Sequence, residues 1–367
     1  MAASTARARD AFARVLAAPR EAGTPEAARA REAVAAYLNS LGFTVQSEPF
    51  RFAPSTLWAL PVLGAGLGWL GLILLPLLVL PQTPTWGALT VWAVGAVSLG
   101  AVAWGIGAGW TALPFGGAPR EDANLVATRG PRVRRWIVAH LDSKAQGHSM
   151  AGRLAAVWML IAAAAGLTVL AAARISGALP VGVAGAGAGL AVLAGALAGR
   201  GRLKGTSIGA RDNASGVLAA LALAEALGDD ETGIVVTGAE EFGLVGSRAF
   251  VQRHRAELAG QAVINLDTLD DTGALVVVRH DENGAALAEA VAAALAPVGL
   301  PVRRRRLPLG ILVDSLPLAR AGARAVTVAR LDWSTLRRIH TARDTADGLA
   351  FDTAQRVGRA LANAASA

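Results

Sequence analysis

The segment GARDNASGVLAALALAEALGDDETGIVVTGAEEFG, residues 209–243, contains one helix and one strand of an α/β unit. Its middle, SGVLAALALAEAL, has the apolar content of a helix that covers a sheet, and GIVVTG is a short β-branched run typical of a strand. The runs WIVAH, QAVINLD, ALVVVRH and ARAVTVA are of the same type. Because helical stretches separate several of them, the sequence predicts an α/β fold with a mostly parallel central sheet flanked by helices.

Two apolar blocks interrupt this domain. No Asp, Glu, Lys or Arg occurs from Phe52 to Pro119, and Arg174 is the only charged residue from Leu154 to Gly199. Each block is long enough for two helices of about 20 residues, the length that crosses a bilayer, and a short link divides each. Seven of the nine tryptophans lie in the blocks, as expected of anchors at a membrane surface. We therefore predict two transmembrane hairpins, the alternative being buried helices of a large soluble core.

The predicted organisation is one soluble domain in three pieces. The domain occupies residues 1–56, 114–153 and 200–367, and the hairpins occupy 57–113, with helices near 57–80 and 86–112, and 154–199. Two crossings in each hairpin return the chain to the same side of the membrane. The basic residues that flank the hairpins on the domain side are Arg51, Arg120, Arg153, Arg200, Arg202 and Lys204. Since positive charge favours the cytoplasmic side, we expect a multi-pass membrane protein with a cytoplasmic soluble domain.

The composition limits the chemistry. The sequence has no cysteine, so disulfides and thiolate metal sites are excluded and any metal must be held by His, Asp and Glu. The formal charge is +8, with a basic run from Arg303 to Arg306. The basic residues of the chain come without a nucleic-acid motif or interleaved aromatic residues. We expect membrane lipid, and no nucleic acid, as a partner.

Polar residues follow the predicted strands, where sites form in open α/β sheets. They are His140 and Asp142 in AHLDS, Asp212 in RDNASG, Glu240 and Glu241 in GAEEFG, Asp267 in INLD, and His340 in IHTARD. Each has an ordinary alternative, such as a helix N-cap at Asp212 or a solvated acidic pair at Glu240 and Glu241. On a continuing strand, His140 and Asp142 would share a face, so the carboxylate could orient the imidazole.

The order H-x-D, D-N-A-S-G, E-E, N-L-D and I-H-T resembles the zinc aminopeptidases of the aminopeptidase Y and bacterial leucyl aminopeptidase type. The resemblance covers about residues 26–52, 120–148 and 205–350. It implies two Zn²⁺ ions per chain, with Asp212 as the bridging ligand. The other implied ligands are His140, Glu241, Asp267 and His340.

The resemblance also implies an activity. Glu240 would be the general base for a metal-bridging water that attacks the first bond of a peptide with a free N-terminus. Two positions depart from the family. Ile339 stands where relatives often have a Tyr that stabilises the tetrahedral intermediate, and Ser315 follows Asp314 where the family frequently has His. A glutaminyl-cyclase-like acyltransferase with one zinc, and a non-catalytic membrane receptor or scaffold, are the alternatives.

Overall fold

The computed structural model describes residues 10–108 and 118–363. Internal contacts divide the chain into two units. The first, which we call the sheet unit, draws on Met1–Phe52, Pro119–Ala145 and Gly205–Ala367. The second, which we call the apolar unit, draws on Ala53–Ala118 and Gln146–Lys204.

The described part of the sheet unit contains an eight-stranded sheet of order β1-β2-β4-β3-β5-β8-β6-β7. The strands are β1 Thr44–Phe52, β2 Arg120–Thr128, β3 Arg135–His140, β4 Thr232–Thr237, β5 Ala262–Leu269, β6 Ala274–Arg279, β7 Val302–Arg306 and β8 Arg324–Leu331. The four central strands, β4, β3, β5 and β8, are mutually parallel, whereas β1–β2, β2–β4 and β6–β8 are antiparallel. The predicted α/β fold is confirmed, and its sheet is mixed, with a parallel centre.

The central strands carry largely apolar runs because the sheet is covered on both faces. Every residue of β4 and of β5 is buried, which is why these strands appear in the sequence as continuous rather than alternating apolar runs. The segment TVQSEPF predicts β1, but no pattern in the sequence predicts β2 or β7. The second of these is the run Val302–Arg306, an edge strand whose four arginines are exposed. Charged side chains on an edge strand oppose pairing with other chains.

The helices complete both units. They are α1 Pro25–Ser40, α2 Ala59–Val79, α3 Thr85–Ala108, α4 Met150–Ala173, α5 Val181–Gly199, α6 Ser215–Ala226, α7 Val245–Leu258, α8 Ala285–Ala294, α9 Ser315–Arg320, α10 Trp333–Leu336 and α11 Asp352–Asn363. Residues 10–16 are also helical. Helix α6 is buried from Ser215 to Ala224, because it packs on the sheet and against α11. This burial sets the position of the polar segment directly before α6.

The apolar unit consists of α2 to α5. Among the described residues, four spans are long and apolar enough to cross a membrane: Ala59–Val79, Thr85–Gly105, Met150–Ser176 and Val181–Gly199. Helices α2 and α5 pack so closely that a Cβ at Gly195 would lie 2.5 Å from the carbonyl oxygen of Gly64. Small residues at such contacts let helix backbones touch. The predicted end of the second span, 109–112, lies outside the described residues.

Arg174 joins the two helical connections of the apolar unit. Its side chain is buried and donates hydrogen bonds to the carbonyl oxygens of Leu77 at 3.0 Å and Thr83 at 2.7 Å. Carbonyls at the end of a helix have no partner within the helix, so the guanidinium satisfies the end of α2. The only charged residue of the second apolar block therefore caps a helix of the first.

Candidate metal centre and catalytic site

The predicted site residues meet at the carboxyl ends of the parallel strands. His140 is the last residue of β3 and Asp267 lies in β5, and these two strands are adjacent and parallel. Glu240 and Glu241 follow β4, which pairs with the other side of β3. All of these side chains are buried, as are those of Asp212 and His340. The carboxyl ends of the strands thus bring together the site residues that the sequence predicts.

Five of the residues form two groups that share Asp212. In the first, the Nε2 atom of His140 lies 3.1 Å from Oδ1 of Asp212 and 3.8 Å from Oδ1 of Asp267. In the second, the Nε2 atom of His340 lies 3.1 Å from Oδ2 of Asp212 and 3.3 Å from Oε2 of Glu241. Within each group the potential ligand atoms lie within 4.8 Å of one another. Asp212 therefore presents one oxygen to each group.

These donor sets fit divalent cations. Three buried carboxylates and two imidazoles converge, and buried like charges are unfavourable unless a cation compensates them. Within the described residues, Oε1 of Glu241 and Nδ1 of His340 are buried without a hydrogen-bond partner. Nitrogen and oxygen ligands without thiolate suit zinc and related divalent ions. The described residues therefore include two candidate groups of metal ligands.

The neighbouring Asn213 explains why Asp212 is available. The Oδ1 atom of Asn213 accepts hydrogen bonds from the N–H groups of Gly216 at 3.0 Å and Thr268 at 3.1 Å. Its Nδ2 group donates to the carbonyl of Leu266 at 2.9 Å. Asn213 thus makes the cap-like contacts that a simple N-cap interpretation assigns to this segment, and it ties the segment to β5.

Asp142 holds the Glu240–Glu241 turn. Its carboxylate accepts the main-chain N–H groups of both Glu240 and Glu241 at 3.1 Å. Nδ1 of His140 contacts the main-chain oxygen of Asp142 at 3.1 Å and its carboxylate oxygen at 3.6 Å. The strand ends at His140, so the alternation expected of a continuing strand does not extend to Asp142. The carboxylate therefore fixes the turn more directly than it orients the imidazole.

Three residues at or directly beside the site have a positive φ. Ala239, Thr268 and His340 have φ values of 50°, 53° and 64°. Ala239 precedes Glu240 and Thr268 follows Asp267. Positive φ is uncommon outside glycine, especially for a β-branched residue, and it persists where the surrounding structure determines it, often at functional sites.

The electrostatics divide the carboxylates into two kinds. Burial raises the pKa of Glu240 well above its usual value, and the charges of Glu241, Asp314 and Asp267 add to this while His140 opposes it. Burial also acts to raise the pKa of Asp212, but hydrogen bonds from His140 and His340 outweigh it and the pKa is lowered. Glu240 is therefore disposed to carry a proton, and Asp212 to remain an anion. A neighbouring cation would lower the pKa of Glu240 and favour its basic form.

Lys144 is a site residue that the sequence reasoning missed. Its buried Nζ atom lies 2.6 Å from Oε2 of Glu241 and 3.3 Å from the carbonyl oxygen of the same residue. Burial opposes ionisation of Glu241, but the ammonium and His340 lower the pKa of this carboxyl to about 2. The sequence carries one signal for it. The chain uses arginine for nearly all of its basic residues, and Lys144 is one of its two lysines, the other being Lys204.

A second ionic network holds the main chain of Asp212 and the preceding residue. The carboxylate of Asp344 accepts the main-chain N–H groups of Arg211 at 2.9 Å and Asp212 at 3.1 Å. The Nε group of Arg211 donates to Asp270 at 3.1 Å, which also accepts from the hydroxyl of Thr335 at 2.6 Å. Asp270 lies in the connection between β5 and β6, and it is buried. Both carboxylates hold the segment that carries Asp212.

The two positions that depart from the family are buried. Ile339 has no hydroxyl to offer, and its side chain is buried beside His340. Ser315 contacts Nε2 of His280 at 2.8 Å and the hydroxyl of Thr327 at 2.5 Å. Burial raises the pKa of the preceding Asp314 to about 6, although a hydrogen bond from Thr237 opposes this rise.

The fold is shared with solved structures of aminopeptidases and glutaminyl cyclases. The aminopeptidase from Aneurinibacillus sp. strain AM-1 is 16% identical with a TM-score of 0.56, covering 98% of this chain and 92% of that one. The zinc aminopeptidase BSAP from Bacillus subtilis is 14% identical with a TM-score of 0.54, covering 98% and 94%. The Fimbriiglobus ruber glutaminyl cyclase is 14% identical with a TM-score of 0.55, covering 98% and 93%. At these identities the likeness establishes the fold alone.

The sequence identifies the family. Residues 183–365 match the model of peptidase family M28, a range that includes Asp212, Glu241 and His340 but not His140. Comparison with curated proteins gave no match. The chain belongs to peptidase family M28, which confirms the resemblance inferred from the ordered motifs, and this membership supports hydrolytic chemistry.

Proposed function

We propose that this protein is a membrane-embedded zinc aminopeptidase. The observation that supports the proposal most strongly is the placement of Asp212, whose two oxygens lie 3.1 Å from His140 and 3.1 Å from His340. A carboxylate shared between two ligand groups suits hydrolases with paired metal ions, which lie about 3.5–4 Å apart. Membership of a peptidase family supports the hydrolytic chemistry independently.

In this proposal each ligand group holds one zinc ion. His140, Asp212 and Asp267 would hold one ion, and Asp212, Glu241 and His340 would hold the other. When bound, zinc supplies Lewis acidity towards the scissile carbonyl and lowers the pKa of coordinated water. The protein contributes a rigid frame, since Asp142 holds the turn of Glu241 and Asp344 holds the main chain of Asp212.

Glu240 is the proposed general base. Its carboxylate is buried beside Glu241, and the hydrogen bond from its N–H group to Asp142 fixes its main chain. It would accept a proton from the attacking water and deliver it to the amine that leaves. A buried carboxylate whose pKa is raised by its surroundings is suited to both halves of this transfer.

The proposed substrate is a peptide with a free N-terminus. The α-ammonium group of such a peptide is a cation, and carboxylates in excess of the ligand set, Glu240 and Asp314, lie within the same buried cluster. Oδ1 of Asp314 is buried and has no hydrogen-bond partner within the described residues. The negative potential of this cluster favours a peptide with a charged terminus over a blocked one.

A glutaminyl-cyclase-like acyltransferase is the second candidate function. It is favoured by Lys144, which already places one positive charge 2.6 Å from Glu241, so a single zinc would neutralise much of the site. The fold is also shared with glutaminyl cyclases. The two functions differ in product, because a cyclase releases ammonia from an N-terminal glutamine and leaves the peptide bond intact.

The membrane location and its sidedness are part of the proposal. The four spans would form two hairpins, and the positive flanks would hold the sheet unit in the cytoplasm. Because the chain has no cysteine, single cysteines introduced at exposed positions give an unambiguous test. The variant Lys204→Cys should react with a membrane-impermeant maleimide in inside-out vesicles, which expose the cytoplasmic face. It should not react in right-side-out vesicles. The opposite labelling would refute cytoplasmic placement.

The activity is tested on the full-length protein in detergent with added zinc. We expect release of amino acid from leucyl and alanyl p-nitroanilides and from dipeptides, no turnover of their N-acetyl analogues, and inhibition by a chelator. Release of ammonia from Gln-peptides without peptide cleavage would favour the cyclase instead. Absence of every activity in a zinc-loaded, folded preparation would favour a non-catalytic protein.

A further inference from the structure

Arg20 is a buried residue that the proposed chemistry does not use. It is 1% exposed and lies between the helical residues 10–16 and α1. Its guanidinium donates hydrogen bonds to four main-chain carbonyls, those of Leu141 at 2.8 Å, Val15 at 2.7 Å, Ile208 at 2.7 Å and Gly209 at 3.1 Å. Such a planar fork of donors binds several acceptors in fixed directions, which an ammonium group does not.

The carbonyls that Arg20 binds belong to the segments carrying two of the proposed ligands. Leu141 directly follows His140, and Gly209 lies three positions before Asp212. His140 and Asp212 are 72 positions apart in the sequence, and residues 146–204 between them belong to the apolar unit. Arg20 therefore joins the segment by which the chain leaves the sheet unit to the segment by which it returns.

The junction is closed by further hydrogen bonds. The hydroxyl of Ser143 donates to the carbonyl of Ser207 at 2.8 Å and accepts the N–H group of Arg20 at 3.0 Å. The N–H group of Ser143 donates to the carbonyl of Arg20 at 3.1 Å. We call Arg20, Ser143 and Ser207 the clasp. It connects three segments that are distant in sequence.

The junction has little free space. Gly209 has a φ of 59°, and a Cβ at this position would lie 2.4 Å from the Cβ of Ser143 and 2.5 Å from the carbonyl oxygen of Asp212. Burial lowers the pKa of Arg20 to about 10, against the opposing effect of Asp344, Asp142 and Asp212, so the guanidinium stays charged at neutral pH. A charged group with four hydrogen bonds in a tight junction restrains the adjacent main chain.

We propose that Arg20 is a positioning residue that holds His140 and Asp212 in metal-binding register across the inserted apolar segment. The inference rests on the proposed metal-dependent function. The two ends of the 59-residue insertion, 146–204, pair where Gln146 meets Leu203, and along both strands of the chain the clasp lies between that pairing and the proposed ligands His140 and Asp212. Groups that orient metal ligands commonly alter metal affinity by about 10–100-fold when removed.

The test uses Co²⁺ alone as the probe, because its visible absorption reports the arrangement of its ligands. Full-length wild-type protein and the variant Arg20→Lys are titrated in detergent. We expect Arg20→Lys to lose at least about tenfold in Co²⁺ affinity and to show an altered absorption spectrum. Ser143→Ala removes a smaller part of the clasp without changing charge, and it should shift the affinity in the same direction by less.

The matched control is Arg129→Lys. Arg129 also donates to main-chain carbonyls of the sheet unit, those of Leu41 at 2.9 Å, Ala224 at 3.2 Å and Leu227 at 3.2 Å. None of these carbonyls adjoins a proposed ligand. We expect Arg129→Lys to reduce thermal stability while keeping the wild-type Co²⁺ affinity and spectrum.

The inference is overturned if Arg20→Lys and Ser143→Ala both bind Co²⁺ as the wild type does, or if Arg129→Lys causes the same loss. Should Arg20→Lys fail to fold, Ser143→Ala decides the question. Failure of the wild-type protein to bind Co²⁺ would instead refute the proposed metal centre, so the two failures are distinguishable.

Discussion

Substituting Lys144 by Met would leave Glu241 without its ammonium partner. The two groups are 2.6 Å apart and both side chains are buried. Removing one member of a buried ion pair costs about 3–5 kcal/mol, because the remaining charge stays desolvated. For a domain of 150–250 residues this corresponds to a fall of roughly 6–20 °C in the unfolding midpoint. We expect a loss of this size in EDTA.

Zinc should reverse much of this loss. In the proposed site a bound cation compensates Glu241 directly, so the metal replaces the charge that Lys144 supplied. The rise of the unfolding midpoint on adding saturating zinc should therefore be larger in Lys144→Met than in the wild type. Thermal unfolding followed by circular dichroism in detergent, with and without zinc, measures both quantities.

The control is Lys204→Met, which changes the other lysine of the chain. Lys204 is exposed, and exposed substitutions usually change stability by less than about 0.5 kcal/mol. Equal stability of Lys144→Met and wild type in EDTA would refute the role given to the buried pair. An identical zinc-dependent rise in both proteins would show that Lys144 and the metal act independently.

Two further predictions concern pH and helix packing. Burial raises the pKa of Asp314 and of Asp344 from 3.8 to about 6, so between about pH 4 and 6 the folded chain keeps protons that the unfolded chain has released. The unfolding free energy in EDTA should therefore fall as the pH rises through this window. The variant Asp344→Asn should reduce this fall. Stability that increases from pH 4 to 6 would contradict the assignment. In the apolar unit, Gly195→Leu should destabilise the packing of α2 and α5 by about 1–3 kcal/mol, because a Cβ there would overlap the Gly64 carbonyl. Gly189→Leu is the control on the same helix, since no described atom lies within 4 Å of its Cβ position; equal unfolding midpoints in detergent would argue against the close contact.

The parallel centre of the sheet was predictable because its strands are buried on both faces. WIVAH, GIVVTG and QAVINLD are continuous β-branched runs, and the polar residue that ends or follows each run falls at the site edge. The strands β2 and β7 lack such a continuous apolar run, so the pattern does not predict them. The first begins with charged residues, and the second is an arginine-rich edge strand that needs no apolar core face.

The supporting residues of the site were not predictable from local pattern. Arg20 binds carbonyls more than 100 positions away, and Asp344 binds the N–H groups of Arg211 and Asp212 from 132 or more positions along the chain. Nearly every residue carries the same main-chain N–H and carbonyl groups, so contacts to them leave no motif in the sequence. The contact of Asp270 with Arg211, 59 positions away, likewise leaves no local motif.

The measurement that tests the central claim most directly is the metal content of purified full-length protein, compared between the wild type and Glu240→Gln. Glu240 belongs to neither ligand group, so the variant should keep about two zinc ions per chain, as the wild type does. Its aminopeptidase turnover should fall by about 10²–10⁴-fold, the usual contribution of a general base. One tightly bound zinc per chain, or near-normal turnover in Glu240→Gln, would contradict the proposed two-metal mechanism.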